Sequence, residues 1–182
     1  MNHKLIIFMF LPLLMASQSS LKEKKYRQEE PYDTICLSKT TYLSLSLETT
    51  KSEMYKKLGK PDKIVKPKYD CGGFSDEWQD KIFKQYYYKS LNFIGAGENM
   101  VIERINFEAN PSISIMNKGV IINSKTTIKT FAKLFPKSYK NIVKGKDGKV
   151  YFYLLPSLVT DDKIIVTFKK GVLISLQYNS PC

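Results

Sequence analysis

What most constrains this chain is a short capped helix followed by aromatic and β-branched runs, an order that leaves little besides helices laid on an antiparallel sheet. Tyr42-Leu43-Ser44-Leu45-Ser46-Leu47 alternates with the period of a strand. Thr50-Lys51-Ser52-Glu53 has the make-up of a capping box, in which the Thr50 hydroxyl accepts from the amide of Glu53 while the Glu53 carboxylate reaches back. Met54 and Leu58, with Tyr55 beside them, give a short apolar stripe, and Gly59-Lys60-Pro61 ends the helix. Residues 86–93 then run through Gly95-Ala96-Gly97-Glu98-Asn99 into a strand at 101–108.

The same order recurs. Gly119-Val120-Ile121-Ile122 leads through Ser124-Lys125-Thr126-Thr127 to Ile128, Phe131, Ala132 and Phe135, which share one helical face before Pro136 stops it. Strands follow at 150–155, 163–168 and 172–178, with Thr160-Asp161-Asp162 and Lys169-Lys170-Gly171 as turns. In the last strand, alternation places Val172, Ile174, Leu176 and Tyr178 on one face. Sliding the first copy forward by 76 positions sets Thr50 on Thr126, Tyr55 on Phe131, Lys57 on Lys133 and Leu58 on Leu134. The expected class is α+β, short helices packed on an antiparallel sheet as two tandem helix–meander units, 42–118 and 119–182, that share one continuous architecture after a flexible lead-in at 20–41. Residues 75–83 read equally well as a helix capped by Ser75 or as a strand begun by Trp78.

Residues 1–19 read as a secretory signal peptide: His3 and Lys4 as a basic start, an apolar run from Leu5 to Leu14, and small residues for cleavage after Ala16 or after Ser19. The apolar run is shorter than the roughly 20 residues a membrane-spanning helix needs. The expected location is extracytoplasmic, periplasmic or secreted, and soluble. Removal of Lys4 with the leader takes 29 basic residues to 28 against 17 acidic ones, a net charge of +11. Only two of the basic residues are arginines, Arg27 and Arg104, which reads as a solvating charge rather than as a nucleic-acid surface. Weak association with an anionic envelope surface is the other use of such a charge.

Loss of the leader also takes the one histidine, His3, so no Ser–His–Asp or Cys–His set can be built from the remainder. The acid pairs Asp76/Glu77 and Asp161/Asp162 fit local turn chemistry better than a glycosidase pair. Glu103 falls on an apolar strand face, which a β-bulge near Ile102 would repair by sending it to solvent; the alternative is a buried, partnered carboxylate. Cys36, Cys71 and Cys182 allow one disulfide and one free thiol in an oxidising compartment, with Cys71–Cys182 favoured because it ties down a terminus and Cys36 as the alternative partner. No metal or cofactor set is expected. The surface candidates are tyrosines: Tyr86 and Tyr88 on one strand face and Tyr151 and Tyr153 on another, side chains with a large rigid body and one polar tip that suit protein interfaces or the rim of a core.

A capped helix closed by Leu58-Gly59-Lys60-Pro61 ahead of an aromatic strand pair and an apolar strand resembles the repeat of the beta-lactamase-inhibitor-protein-like fold, which is shared with small envelope lipoproteins of the outer-membrane assembly machinery. The resemblance covers residues 42–107 and, more loosely, 120–178, where Leu134-Phe135-Pro136 replaces the glycine-containing stop. It implies a non-enzymatic protein that holds another protein on an exposed sheet face and loops. The lipid-modified cysteine of the envelope members has no counterpart behind the leader, the first cysteine being Cys36. A secreted protein-binding, inhibitor-like role is the expected function. A structural accessory of the envelope and a carboxylate-dependent hydrolase are its rivals.

Overall fold

The computed structural model describes residues 30–67, 81–158 and 161–180. In chain order its elements are β1 (Thr41–Tyr42), β2 (Leu45–Ser46), β3 (Glu48–Thr50), α1 (Lys51–Leu58), β4 (Lys63–Val65), β5 (Lys84–Tyr88), β6 (Leu91–Ala96), β7 (Asn99–Asn106) and β8 (Ser114–Asn117). There follow β9 (Val120–Asn123), α2 (Ile128–Leu134), α3 (Pro136–Lys140), β10 (Val143–Lys144), β11 (Lys149–Leu154), β12 (Lys163–Lys169) and β13 (Val172–Asn179). The class is α+β: mainly antiparallel sheet with a few short helices. Among the described residues no helix is long and apolar enough to cross a membrane.

The larger sheet has the order β10-β11-β12-β13-β7-β6-β5-β4. One edge of β7 is shared, with β3 pairing its first half and β13 its second. A smaller sheet, β2-β1-β8-β9, contributes Leu45, Ile115 and Ile122 to the same core. The boundary expected at 118/119 falls at the tip of the β8–β9 hairpin, inside one compact unit from Pro31 onward.

Helix ends follow the chemistry of the sequence. The Thr50 hydroxyl accepts from the Glu53 amide at 3.1 Å, and Gly59, at φ 78°, donates its N–H to the Tyr55 carbonyl. Thr127 caps α2 in the same way, accepting from the Thr130 amide at 3.1 Å. Pro136 does lie beyond the end of α2, but it also opens α3 as its first residue, where its missing N–H costs nothing. The chain around Asp33 holds α3 in place: Asp33 N–H donates to Ser138 Oγ and Ser138 N–H to the Asp33 carboxylate.

Directly opposed residues in an antiparallel pair share a face, so register assigns every side chain. Phe152, Val166, Leu176, Ile105, Leu91 and Tyr88 form one row across six strands, facing the helices. Against it sit Met54 of α1 and Phe131 of α2, both essentially buried, and the Phe131 ring lies 4.6–5.4 Å from those of Phe135, Phe152 and Phe168.

Several expectations change. Residues 31–41 are not a loose lead-in: Ile35, Leu37 and Thr40 are buried, and Ile35 N–H donates to the Leu155 carbonyl. The alternating run at 42–47 is not one strand, because Leu43 and Ser44, both at positive φ, turn it back as the β1–β2 hairpin. A further turn splits the run at 86–93. Lys89 sits at φ 38°, and its N–H donates to the Asp62 carboxylate at 2.7 Å, a partner distant in sequence. In β13 the register skips Ile174, so Leu173 joins Leu176 and Tyr178 on the helix face while Val172 is exposed. The bulge foreseen near Ile102 does occur, at Glu103, since Arg104 opposes Asn92 and Ile102 opposes Phe93. It does not deliver Glu103 to solvent: the carboxylate is half-buried and accepts from the Gln85 amide at 2.7 Å. Cys71, Cys182, Trp78, the leader and residues 75–80 lie outside the described residues, while Lys81–Phe83 precede β5 in neither helix nor strand.

Candidate protein-binding face

The tyrosines chosen from the sequence do not share one face. Tyr86 and Tyr88 point to the helices: Tyr86 is buried, edge-on to Tyr55, and Tyr88 packs edge-on to Phe93 while its hydroxyl donates to the Gly59 carbonyl at 3.0 Å. Tyr151 and Tyr153 point the other way. The first row on that side is Val143, Tyr151, Thr167, Ser175 and Asn106; the second is Tyr153, Ile165, Gln177, Arg104, Asn92, Tyr87 and Lys63. Tyr87, the middle tyrosine, is therefore the one that joins Tyr153. The signal that could have selected it is the single bulge in β7, which keeps Arg104 and Asn92 on its side.

The second row is aromatic at its Tyr153 end and carries Arg104 at its middle and Lys63 at its far end. Tyr32 stacks edge-on to Tyr153 with ring centroids 5.8 Å apart, and the Lys163 ammonium stands 5.8 Å from the centre of both rings. Arg104 and Gln177 are exposed at mid-sheet, and Tyr153, Ile165 and Tyr87 are half-exposed. Tyr151 lies against the backbone of Gly145 in the β10–β11 turn, where a methyl group on Gly145 would come within 2.8 Å of its ring.

No family model matches this chain, and neither a curated protein nor a solved structure does.

Among the described residues there is no group of three or more His, Cys, Asp or Glu side chains placed to hold a metal ion. Asp162 has a structural role, but not through a local turn bond: it is buried and accepts from the Tyr178 hydroxyl, 16 residues on, at 2.7 Å. Cys36 is half-buried and carries no disulfide, its Sγ resting 3.2 Å from Ser38 Oγ.

Burial raises the pKa of three phenols. Tyr88 is pushed up to about 12, chiefly by desolvation with Tyr55, Tyr86 and Asp62 nearby; Tyr86 rises chiefly by desolvation; Tyr178 rises through desolvation and its bond to Asp162. Below pH 10 these phenols are protonated in folded and unfolded chains alike and add no pH dependence. Above pH 10 the unfolded chain releases protons that the folded chain keeps, so stability falls with rising pH until each phenol reaches its own raised pKa in the fold. Urea midpoints between pH 9 and 11.5 should decline, and less steeply in Tyr86→Phe. An unchanged slope in that variant would mean that Tyr86 ionises normally in the fold.

Proposed function

We propose that this is a non-enzymatic binding protein, exported by the leader at 1–19, that holds another protein against the sheet face opposite its helices. The observation that carries the reading is the row Tyr153, Ile165, Gln177, Arg104, Asn92 and Tyr87, an uninterrupted cross-strand surface with rigid aromatic ends and a basic middle. Aromatic and arginine side chains are the types that dominate protein-interface energetics. The partner is accordingly acidic where it meets Arg104, Lys63 and Lys163.

The reading as two tandem helix–meander units, akin to the inhibitor-like fold, has support of two kinds. The strand order is palindromic, with α1 followed by the meander β4 to β7 and α2–α3 followed by the meander β10 to β13, the two joined where β13 meets β7. The caps Thr50 and Thr127 and the buried residues Met54 and Phe131 both stand 77 positions apart, one more than the spacing that best aligns side-chain types.

A photo-crosslinking residue at position 153 should capture a discrete partner in intact cells, and Arg104→Glu should abolish the adduct. In a purified complex, Tyr153→Ala should weaken binding by about 2 kcal/mol, roughly thirtyfold. Capture that is equally strong with the crosslinker at exposed Tyr139, on a helix, would show that the sheet face is not the site.

A further inference from the structure

A cleft of about 320 Å³ opens on the other side of the molecule, between the end of α1, the β1–β2 turn and the β5–β6 turn. Its walls are Tyr42, Leu58, Tyr88, Leu91 and Ile113, with Leu43 at the mouth. Lys57, Lys60 and Lys89 stand around it, all exposed, against a single acid, Asp62. Three ammonium groups against one carboxylate leave an excess of positive charge at the opening, and the hydrogen bond from the Lys89 amide holds the Asp62 carboxylate on the β5–β6 turn. The volume is at the small end of the roughly 300–1,000 Å³ typical of ligand clefts, and an apolar wall with a few polar groups is their usual lining.

The backbone supplies a second observation. Leu43, at φ 49°, and Ser44, at φ 63°, are the two central residues of a two-residue hairpin, positions that favour Asn and Gly. A leucine there is strained, and at 64% exposed it gains little burial in return. Lys89, on the facing turn, is also at positive φ. Two strained turns bordering one cleft, each presenting to it a side chain the turn does not favour, fit a ligand-contacting role better than a folding one.

We propose that this cleft binds a small soluble amphiphilic anion, its apolar body against Tyr42, Leu43, Leu58, Tyr88 and Ile113 and its carboxylate, sulfonate or phosphate head among Lys57, Lys60 and Lys89. Charge complementarity selects the head and the shallow apolar floor selects the body. The Tyr88 phenol stays protonated through the neutral range and so does not repel it. The cleft lies on the helix side of the sheet, so the inference stands independently of the proposed protein-binding face.

The test uses the full chain and anilinonaphthalene sulfonate, with uncharged N-phenylnaphthylamine as its counterpart. The sulfonate should bind at one site and shift amide resonances of Leu43, Leu58, Lys89 and Ile113. Lys57→Gln/Lys60→Gln/Lys89→Gln should weaken it at least about tenfold, three exposed charge contacts being removed together. Leu43→Asn should raise the melting temperature by a few degrees through a better turn, yet weaken binding about threefold. Arg104→Glu and Met116→Ser/Ile121→Ser, which alter the sheet face and a separate apolar patch, should leave binding unchanged. Equal affinity for the neutral probe, indifference to the triple lysine change, or resonance shifts centred on Met116 and Ile121 would each overturn the proposal. Displacement of the probe by phosphatidylglycerol vesicles but not by phosphatidylcholine vesicles would assign the charge to a membrane surface, which also overturns the soluble ligand.

Discussion

Phe152→Ala should destabilise the fold by about 4 kcal/mol, lowering the melting temperature by roughly 10 °C. Phe152 is fully buried and lies at the meeting point of α2, α3 and the sheet: its ring is 4.9 Å from that of Phe131, 5.3 Å from Phe168 and 6.2 Å from Tyr139. Phe168 belongs to a strand and Phe131 to a capped helix, so neither can close the space without moving a whole element, and the lost side chain leaves a cavity. Tyr153, one residue along, is on the opposite face, and Tyr153→Ala should cost about 1 kcal/mol or less. Paired thermal melts therefore test the register as well as the core. Comparable losses for the two variants would show that the face assignment of β11 is wrong.

That contrast also marks what the sequence could and could not reveal. The alternation at 150–155 separates Phe152 from Tyr153 correctly, and both helix starts are legible because a threonine cap is a local interaction. The α+β class follows from the same local signals. What stayed hidden depends on partners far along the chain. The turn at Lys89-Ser90 lacks Gly, Asn and Asp and is held by Asp62, while α3 is too short for a periodic signal and is held by Asp33. A bulge shifts register by one residue, and two of them decide which side Glu103, Arg104, Leu173 and Ile174 occupy. The bulge at Glu103 was inferable, because a carboxylate amid apolar positions signals a broken alternation. Its bond from Gln85 was not.

For the binding face the consequence is specific. Period-2 reasoning groups Tyr86 with Tyr88 and Tyr151 with Tyr153, and within each strand both groupings hold. Relating one strand to another requires the strand order, and the palindromic arrangement about β7 and β13 sets the first pair under the helices and the second pair opposite them. The surface row is thereby rebuilt from Tyr87 and Tyr153, with Arg104, one of only two arginines in the chain, at its middle.

Gly95→Ala should cost about 3 kcal/mol, more than its place in a glycine-rich stretch suggests. The sequence Gly95-Ala96-Gly97-Glu98-Asn99 looks like one loop, yet Gly95 and Ala96 end β6 and only Gly97, at φ 61°, is a turn glycine. A methyl group on Gly95 would collide with the Asn99 carbonyl oxygen and come within 2.5 Å of Met100 Cε and 2.6 Å of its Sδ. Backbone cannot yield as a side chain can, and Met100, 1% exposed, has no room to swing away. The strain passes directly to the start of α1. Met100 opposes Thr49 of β3, and the adjoining turn residue Glu98 grips the helix N-terminus, pairing with Lys51 at 3.0 Å and accepting from the Ser52 hydroxyl and amide. Gly97→Ala meets no atom within 4 Å and should cost only about 1 kcal/mol, the price of a positive φ. Urea denaturation of the two variants decides the matter: if Gly95→Ala proves no worse than Gly97→Ala, the close approach of β6 to Asn99 and Met100 is not present in solution.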